Sequence, residues 1–185
     1  MRPPAPCRAP HRIAPAIAGL LAVAMLLAGA LAPHAAARAE SALEGESIAV
    51  QDGDSFVLRT GDGRKLRIRI EGIDAPEKGQ PFAGVSRRHL AGLLRGRSLR
   101  LEVRKVDRYG RQVARVHDGG TDVGLAQLQA GLAWFYRRYQ SEQEPEVRRA
   151  YARAEARARD AAVGLWRDDA PLPPWEQRRR QRGER

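Results

Sequence analysis

The chain carries the segment KLRIRIEGIDAPE at residues 65–77. Its apolar residues occupy every second position, at Leu66, Ile68 and Ile70. That spacing predicts a strand with one buried face, so Arg69 points away from the apolar side. The strand leads directly into two carboxylates, Asp74 and Glu77. We therefore expect charged side chains to gather where this strand ends.

The hydrophobic pattern outside this segment predicts both strands and helices. Alternating apolar residues predict further strands at residues 48–58, 99–104 and 113–116. Helical spacing predicts helices at residues 82–95, 123–130 and 146–163. The first helix is expected to turn four residues inward: Val85, Leu90, Leu93 and Leu94. This order of elements fits a small antiparallel barrel with helices packed against it.

The stretch Asp52-Gly53-Asp54 allows two interpretations. If residues 48–58 form one strand, both carboxylates lie in line with its apolar face. The alternative is a turn, because Asp and Gly both favour turns. The sequence leaves both interpretations open.

The first 39 residues have the features of a secretory signal peptide. Three arginines precede an apolar run at residues 13–32, and Ala37-Arg38-Ala39 follows it as a cleavage pattern. The alternative is a retained membrane anchor, because the run is about as long as the ~20 residues that span a bilayer. Cleavage is the expectation here, because the run is rich in alanine and glycine and therefore only mildly hydrophobic.

The expected organisation is a cleaved segment at residues 1–39, a short linker at 40–47, one domain at 48–167 and a tail at 168–185. The tail is rich in proline and arginine, so we expect it to be polar and mobile. Cleavage also removes Cys7, the one cysteine of the chain, so the remaining domain needs no disulfide.

The chain is strongly basic, with 33 Lys and Arg against 22 Asp and Glu and a net charge of +11. The first 39 residues hold four arginines and no acid, so 29 basic and 22 acidic residues would remain, a net charge of +7. A basic protein attracts polyanions such as nucleic acid. The same excess also fits a solvated arginine-rich surface, so charge alone identifies no partner.

Three segments together supply the groups that phosphodiester hydrolysis needs: two arginines and several carboxylates. Asp54 and Asp74 are candidate ligands of a hard divalent cation, which prefers oxygen donors. Glu77 is the candidate general base. Arg69 and Arg111 are candidate phosphate clamps, because a guanidinium matches two phosphate oxygens and stays charged at any working pH.

The segments at residues 50–54, 69–77 and 107–111 occur in the order found in the staphylococcal nuclease (thermonuclease) family, which the chain resembles from about residue 48 to 166. Within that family, the chain resembles the secreted bacterial type. The resemblance implies an α+β, mainly β fold, with a five-stranded OB-like barrel and three packed helices. It also implies calcium as cofactor, bound by Asp54, Asp74 and the backbone oxygen of Ala75.

The resemblance also implies substrate-binding residues. Tyr109 corresponds to a phosphate-contacting tyrosine, Arg108 stands beside it, and Tyr139 corresponds to a base-side tyrosine. Two positions depart from the family pattern. Ala75 replaces a threonine, which keeps a carbonyl ligand but loses a hydroxyl, and Arg137 replaces the second base-side tyrosine.

Two functions of different class follow from these residues. The first is an exported, calcium-dependent endonuclease that hydrolyses DNA and RNA with little sequence specificity. It would be a monomer, secreted or periplasmic, without stable membrane contact after signal cleavage. The second is a catalytically inactive OB-like module that binds nucleic acid or a protein. Because inactive members of the fold lose the acids and arginines that this chain keeps, the sequence favours the nuclease.

Overall fold

A computed structural model describes residues 42–183 of the protein. The predicted signal peptide or anchor at residues 1–39 lies outside the described residues. Within residues 42–183, no helix combines the length and the apolar character needed to cross a membrane.

The described residues form strands and helices in a mixed order. The strands are β1 (Ala42–Val50), β2 (Ser55–Thr60), β3 (Lys65–Ile70), β4 (Ile73–Asp74), β5 (Ser98–Val106), β6 (Gln112–Asp118), β7 (Thr121–Asp122) and β8 (Trp134–Phe135). The helices are α1 (Ala83–Leu94), α2 (Val123–Gln129), α3 (Pro145–Asp160) and α4 (Pro174–Gln181). Two 3-10 segments, Arg137–Glu142 and Gly164–Arg167, flank α3.

Five strands close into a barrel. The main sheet has the order β3-β2-β1-β5-β6-β7, and β3 also pairs with β6. That last pairing is parallel, with Ile68 opposite Gln112, and it joins the two ends of the sheet. The predicted five-stranded OB-like barrel is confirmed.

The barrel interior is filled from alternate positions of its strands, as the period of two requires. Its fully buried residues include Phe56, Leu58, Ile68, Ile70, Leu99, Leu101, Ala114 and Val116. A second apolar cluster lies beside it, formed by Trp134, Ala158, Leu165 and Trp166 with Phe82, Val163 and Trp175 packed against them. This second cluster includes Trp134 of β8 and Trp175 of α4, so it holds both elements beside the barrel.

The first three helices lie close to their predicted positions, with one error in α1. Leu90 and Leu94 are buried as expected, but Val85 is 41% exposed. The next residue, Ser86, is buried instead and donates a hydrogen bond to the carbonyl oxygen of Leu132 at 2.7 Å. A satisfied buried hydroxyl therefore sets the rotation of the helix at this end.

The predicted linker at residues 40–47 is a strand from Ala42 onward. β1 pairs with β2 on one side and with β5 on the other, so it is a central strand. Gly45 permits that pairing, because a Cβ there would lie 2.3 Å from the carbonyl oxygen of Arg59. Asp52-Gly53-Asp54 lies between β1 and β2, so the turn interpretation is correct and the single strand over residues 48–58 is wrong.

The predicted mobile tail contains helix α4. A proline stands at the first position of the helix, Glu176 lies in its first turn and three arginines lie in its last turn, an arrangement that suits the helix dipole. Trp175 packs edge-on against Trp134, with ring centroids 6.4 Å apart. Residues 174–181 of the expected polar, mobile tail therefore form a helix, and Trp175 packs it against the second apolar cluster.

Asp122 joins the helices to the barrel. Its Oδ1 accepts hydrogen bonds from the backbone N–H of Leu125, at 2.9 Å, and from the hydroxyl of Tyr151, at 2.8 Å. Its Oδ2 accepts one from Nε of Arg115 at 2.7 Å. One buried carboxylate therefore caps α2 and ties it to both α3 and β6.

We expect Asp122→Ala to lower the free energy of unfolding by about 2–4 kcal/mol, because it removes a helix cap and the hydrogen-bond acceptor of the Tyr151 hydroxyl and of Nε of Arg115. Tyr151→Phe is the control, since it removes one hydrogen bond and should cost about 1 kcal/mol. Urea unfolding measures both. A smaller loss for Asp122→Ala than for Tyr151→Phe would contradict the role assigned to this carboxylate.

Candidate active site at the edge of the barrel

The candidate site forms where β2 begins and β3 ends. Asp54 directly precedes β2, and its carbonyl oxygen accepts a hydrogen bond from the N–H of Ile70 at 2.8 Å. Ser55 is opposite Arg69 in the β2–β3 pairing. β4 then returns the chain to the same edge and places Asp74 beside them. Barrel pairing thus assembles residues that are distant in sequence.

The turn that carries Asp54 is tightly held. Oδ1 of Asp52 accepts hydrogen bonds from the N–H of Asp54, at 3.0 Å, and from the hydroxyl of Ser55, at 2.6 Å. Gly53 packs directly on α1, because a Cβ there would lie 1.8 Å from Oγ of Ser86. Only glycine fits this close approach. The contact holds the residue before Asp54 against α1.

Arg69 connects the two candidate ligand residues. Its Nη1 lies 3.2 Å from Oδ2 of Asp54, and its Nη2 lies 2.9 Å from Oδ1 of Asp74. The backbone N–H of Ala75 donates to Oδ2 of Asp54 at 2.6 Å. The side chains of Asp54 and Asp74 are only 7% and 2% exposed. The structure therefore brings these four predicted residues into one buried cluster.

Burial and charge act against each other in this cluster. Burial raises the pKa of Asp54 well above its ordinary value, and the Arg69 guanidinium only partly offsets the effect. Burial acts to lower the pKa of Arg69, but the charges of Asp54 and Asp74 outweigh it and raise that pKa. A second positive charge at this edge would favour the ionised form of both buried carboxyl groups.

The donor set fits a hard divalent cation. Asp54 and Asp74 both contact the Arg69 guanidinium, so their carboxylate oxygens lie close together. The N–H of Ala75 donates a hydrogen bond to Asp54, so the Asp74–Ala75 peptide also lies beside that carboxylate. No three side chains of His, Cys, Asp or Glu in residues 42–183 form a metal cluster by themselves. The predicted set has two carboxylates and one backbone carbonyl, and such a site would leave several positions to water and substrate.

Glu77 lies at the rim of the cluster and is linked to it by an arginine that the sequence did not suggest. Arg178 of α4 hydrogen-bonds through Nη1 to Oε1 of Glu77, and through Nη2 to Oδ2 of Asp74 at 2.6 Å. Burial acts to lower the pKa of Arg178, but the hydrogen bonds and charges of Asp74 and Glu77 outweigh it and raise that pKa. The only sequence signals for this contact are Trp175 and a proline at a helix start.

Arg111 lies in a separate turn between β5 and β6. Asp107 organises that turn by accepting from the N–H of Tyr109 at 2.9 Å, and from the N–H and Nε of Arg111 at 2.9 and 2.7 Å. Gly110 has φ of 73°, a conformation that favours glycine. β6 begins directly after Arg111 and runs beside β3. Among the described contacts, the ion-pair partner of Arg111 is Asp107 rather than the acidic cluster.

The candidate substrate-binding tyrosines are exposed. Tyr109 is 56% exposed, with the guanidinium of Arg108 4.8 Å from its ring centroid. Tyr139 is 46% exposed and lies in the 3-10 segment after β8, with Nζ of Lys105 4.6 Å from its ring centroid. Neither ring contacts the acidic cluster among the described contacts. Both offer an aromatic face with a cation beside it, which suits nucleotides.

Arg137 has a structural partner. Its Nη2 pairs with the buried Glu155 of α3 at 2.7 Å, and the other oxygen of Glu155 accepts from the N–H of Phe135 at 2.9 Å. This pair fastens β8 to α3. The arginine that departs from the family pattern at this position therefore contributes to the fold.

Comparison with known proteins agrees with this geometry. The family model described as "Staphylococcal nuclease homologue" matches residues 67–168. An "Uncharacterized endonuclease" of Escherichia coli O157:H7 is 35% identical over 140 residues, which is 75% of this chain and 86% of the relative. An "Uncharacterized endonuclease" of Haemophilus influenzae is 30% identical over 135 residues, 73% of this chain and 72% of the relative.

Plant relatives are similar over the same domain. The "Staphylococcal-like nuclease CAN1" of Arabidopsis thaliana is 38% identical over 120 residues, 65% of this chain. The chain spans about a third of the length of these plant proteins. The barrel, the acid–arginine cluster and these matches together show that the chain belongs to the staphylococcal nuclease homologue family.

Proposed function

We propose that the protein is a calcium-dependent endonuclease that hydrolyses phosphodiester bonds of DNA and RNA with little sequence specificity. The observation that carries this proposal is the buried cluster in which Arg69 bridges Asp54 and Asp74. Members of the family use a metal ion. Two relatives are named as endonucleases, which supports the same reaction class.

Asp54, Asp74 and the backbone carbonyl of Ala75 would hold the cation. A bound calcium ion would supply charge stabilisation for a phosphate oxygen and orient water. Arg69 contacts both candidate ligand carboxylates, which fix its orientation before substrate arrives. Such preorganised charge is the usual source of large catalytic effects, since it costs no rearrangement during the reaction.

Glu77 would accept a proton from the attacking water. A carboxylate is a weak base at neutral pH, so its position next to the cluster matters more than its basicity. Arg111 would add positive charge from the neighbouring turn, either on the phosphate or beside the leaving oxygen. In the present structure it pairs with Asp107, so binding of substrate must draw the guanidinium from that partner towards the phosphate.

Recognition without sequence specificity fits the exposed residues near the site. Tyr109 with Arg108, and Tyr139 with Lys105, each present a ring and a cation. Stacking and phosphate contacts of this kind do not depend on base identity. The alternative function is an inactive nucleic-acid-binding module. Such a module would need the same exposed surface but not the buried acids.

We expect Asp54→Asn and Asp74→Asn each to abolish cleavage, because each removes a charged oxygen ligand while keeping the shape of the side chain. Asp62→Asn is the control, since Asp62 lies in the β2–β3 turn with Arg64 as its partner. Cleavage of plasmid and of RNA is measured with calcium and then with a chelator, and circular dichroism checks folding. Full activity in excess chelator would rule out the cation requirement.

We expect Arg69→Ala and Arg111→Ala each to lower turnover by roughly a hundredfold or more, the scale seen when one preorganised donor is removed. Lysine should restore only part of the activity, because a point charge cannot make two fixed hydrogen bonds.

Arg59→Ala is the matched control for these two variants. Arg59 is an exposed β2 arginine paired with Glu46 at 3.3 Å. Arg67 is unsuitable, because its guanidinium hydrogen-bonds the carbonyl oxygen of Tyr109 and so supports the turn of Arg111. An equal loss of turnover for Arg59→Ala and Arg69→Ala would mean that Arg69 acts only as a surface cation.

We also propose that the protein is exported, on the strength of the basic start, the apolar run and the Ala37-Arg38-Ala39 pattern. N-terminal sequencing of protein from outside the cytoplasm should find a start at or near Glu40. Recovery of a chain that begins at Met1 in the membrane fraction would favour the anchor instead.

A further inference from the structure

Helix α4 places a guanidinium on the acids of the candidate site. Arg178 Nη2 lies 2.6 Å from Oδ2 of Asp74, and Nη1 lies 3.3 Å from Oδ1 of the same carboxylate. Nη1 also hydrogen-bonds Oε1 of Glu77. Both oxygens of a candidate cation ligand and one oxygen of the candidate base are therefore occupied by the chain itself.

Contacts other than those of Arg178 also hold α4. Trp175 packs against Trp134 and lies 5.6 Å from Tyr136 between ring centroids. Upstream of the helix, the carbonyl oxygen of Leu172 accepts a hydrogen bond from Nε2 of Gln80 at 3.0 Å. These contacts hold the helix over the site and direct its second turn towards the acids.

The same amide links the tail to the candidate base. Oε1 of Gln80 accepts from the N–H of Glu77 at 2.7 Å, while its Nε2 contacts Leu172. The Glu77 loop and the segment before α4 are therefore joined through one side chain. We therefore expect movement of the tail to shift the loop that carries Glu77.

Arg178 also adds a positive charge beside the acids of the site. Three carboxyl groups, those of Asp54, Asp74 and Glu77, lie at this edge, and Arg69 contacts two of them. Arg178 supplies a second positive charge at the place where a divalent cation would otherwise do so. A guanidinium and a metal ion cannot both use the two oxygens of Asp74 as described, so the two must compete for that carboxylate.

The docking of α4 is suited to reversal. The helix has eight residues, fewer than the ~12–15 that an isolated helix needs to be stable in water. Its stability therefore comes from Trp175, Leu172 and Arg178 and their partners. Because few contacts hold it, a ligand that takes over Asp74 removes a large share of what keeps the helix in place.

We propose that α4 is an autoinhibitory element in which Arg178 occupies the cation site, and that calcium binding at Asp54 and Asp74 releases the helix. The inference rests on the proposed function for the identity of the cation. When calcium is scarce, Arg178 of the docked helix pairs with Asp74 and Glu77. Binding of calcium then displaces Arg178 and supplies the catalytic cation in the same step.

The test compares Arg178→Ala with Arg179→Ala in the full-length protein, using calcium chloride as the probe. Arg179 is the matched control, because it is the next residue of the same helix, carries the same charge and is exposed, with no ion pair among the described contacts. Calorimetry measures the calcium affinity. Hydrogen–deuterium exchange of the backbone amides of residues 174–182 measures docking of the helix.

We expect Arg178→Ala to bind calcium about tenfold more tightly than the wild type or more, because the apparent affinity is reduced by the fraction of molecules whose site is blocked. Arg179→Ala should bind within about twofold of the wild type, since it changes only a distant exposed charge. In the wild type and in Arg179→Ala, calcium should speed exchange at residues 174–182. In Arg178→Ala, exchange there should be fast before calcium is added.

The inference is overturned if Arg178→Ala and the wild type bind calcium equally, or if calcium leaves exchange at residues 174–182 unchanged in the wild type. Plasmid cleavage is scored separately on the same samples. Calcium-driven release of the helix without cleavage would support the inference and contradict the proposed nuclease, whereas cleavage without any release would do the reverse.

Discussion

One guanidinium holds the functional edge of this barrel together. Arg69 bridges two carboxylates that are almost fully buried, and each of them belongs to a different segment of the chain. A buried ion pair that loses one partner typically costs about 3–5 kcal/mol, because the remaining charge stays desolvated. The bridge joins the turn at Asp54 to the short strand at Asp74.

The acid–arginine cluster was predictable because sequence order and strand period both constrain it. Arg69 and Asp74 are five residues apart across a strand end, and Asp54 comes just before the strand that pairs with β3. The conformation around Asp54 was not predictable, because alternating apolar residues on both sides of a turn look like one continuous strand. The packing of Gly53 on Ser86, which decides the matter, joins two distant segments.

Other errors have similar physical causes. The apolar pattern of α1 favours Val85 as an inward residue, but the hydrogen bond from Ser86 to Leu132 sets the rotation of the helix there. The tail has no apolar periodicity, so no local signal predicts α4. Its helix exists because Trp175 finds two aromatic partners and Arg178 finds two acids. Long-range contacts of this kind are invisible to local patterns.

The parallel pairing of β3 with β6 has a consequence for folding. It joins Ile68 to Gln112, so the barrel closes only after a long loop has been ordered, and closures of this kind slow folding. That closure sets Arg69 opposite Val113, two residues after Arg111. A chain that has not yet closed its barrel therefore lacks the register that holds Arg111 beside β3. Any step that needs both arginines must wait for this closure.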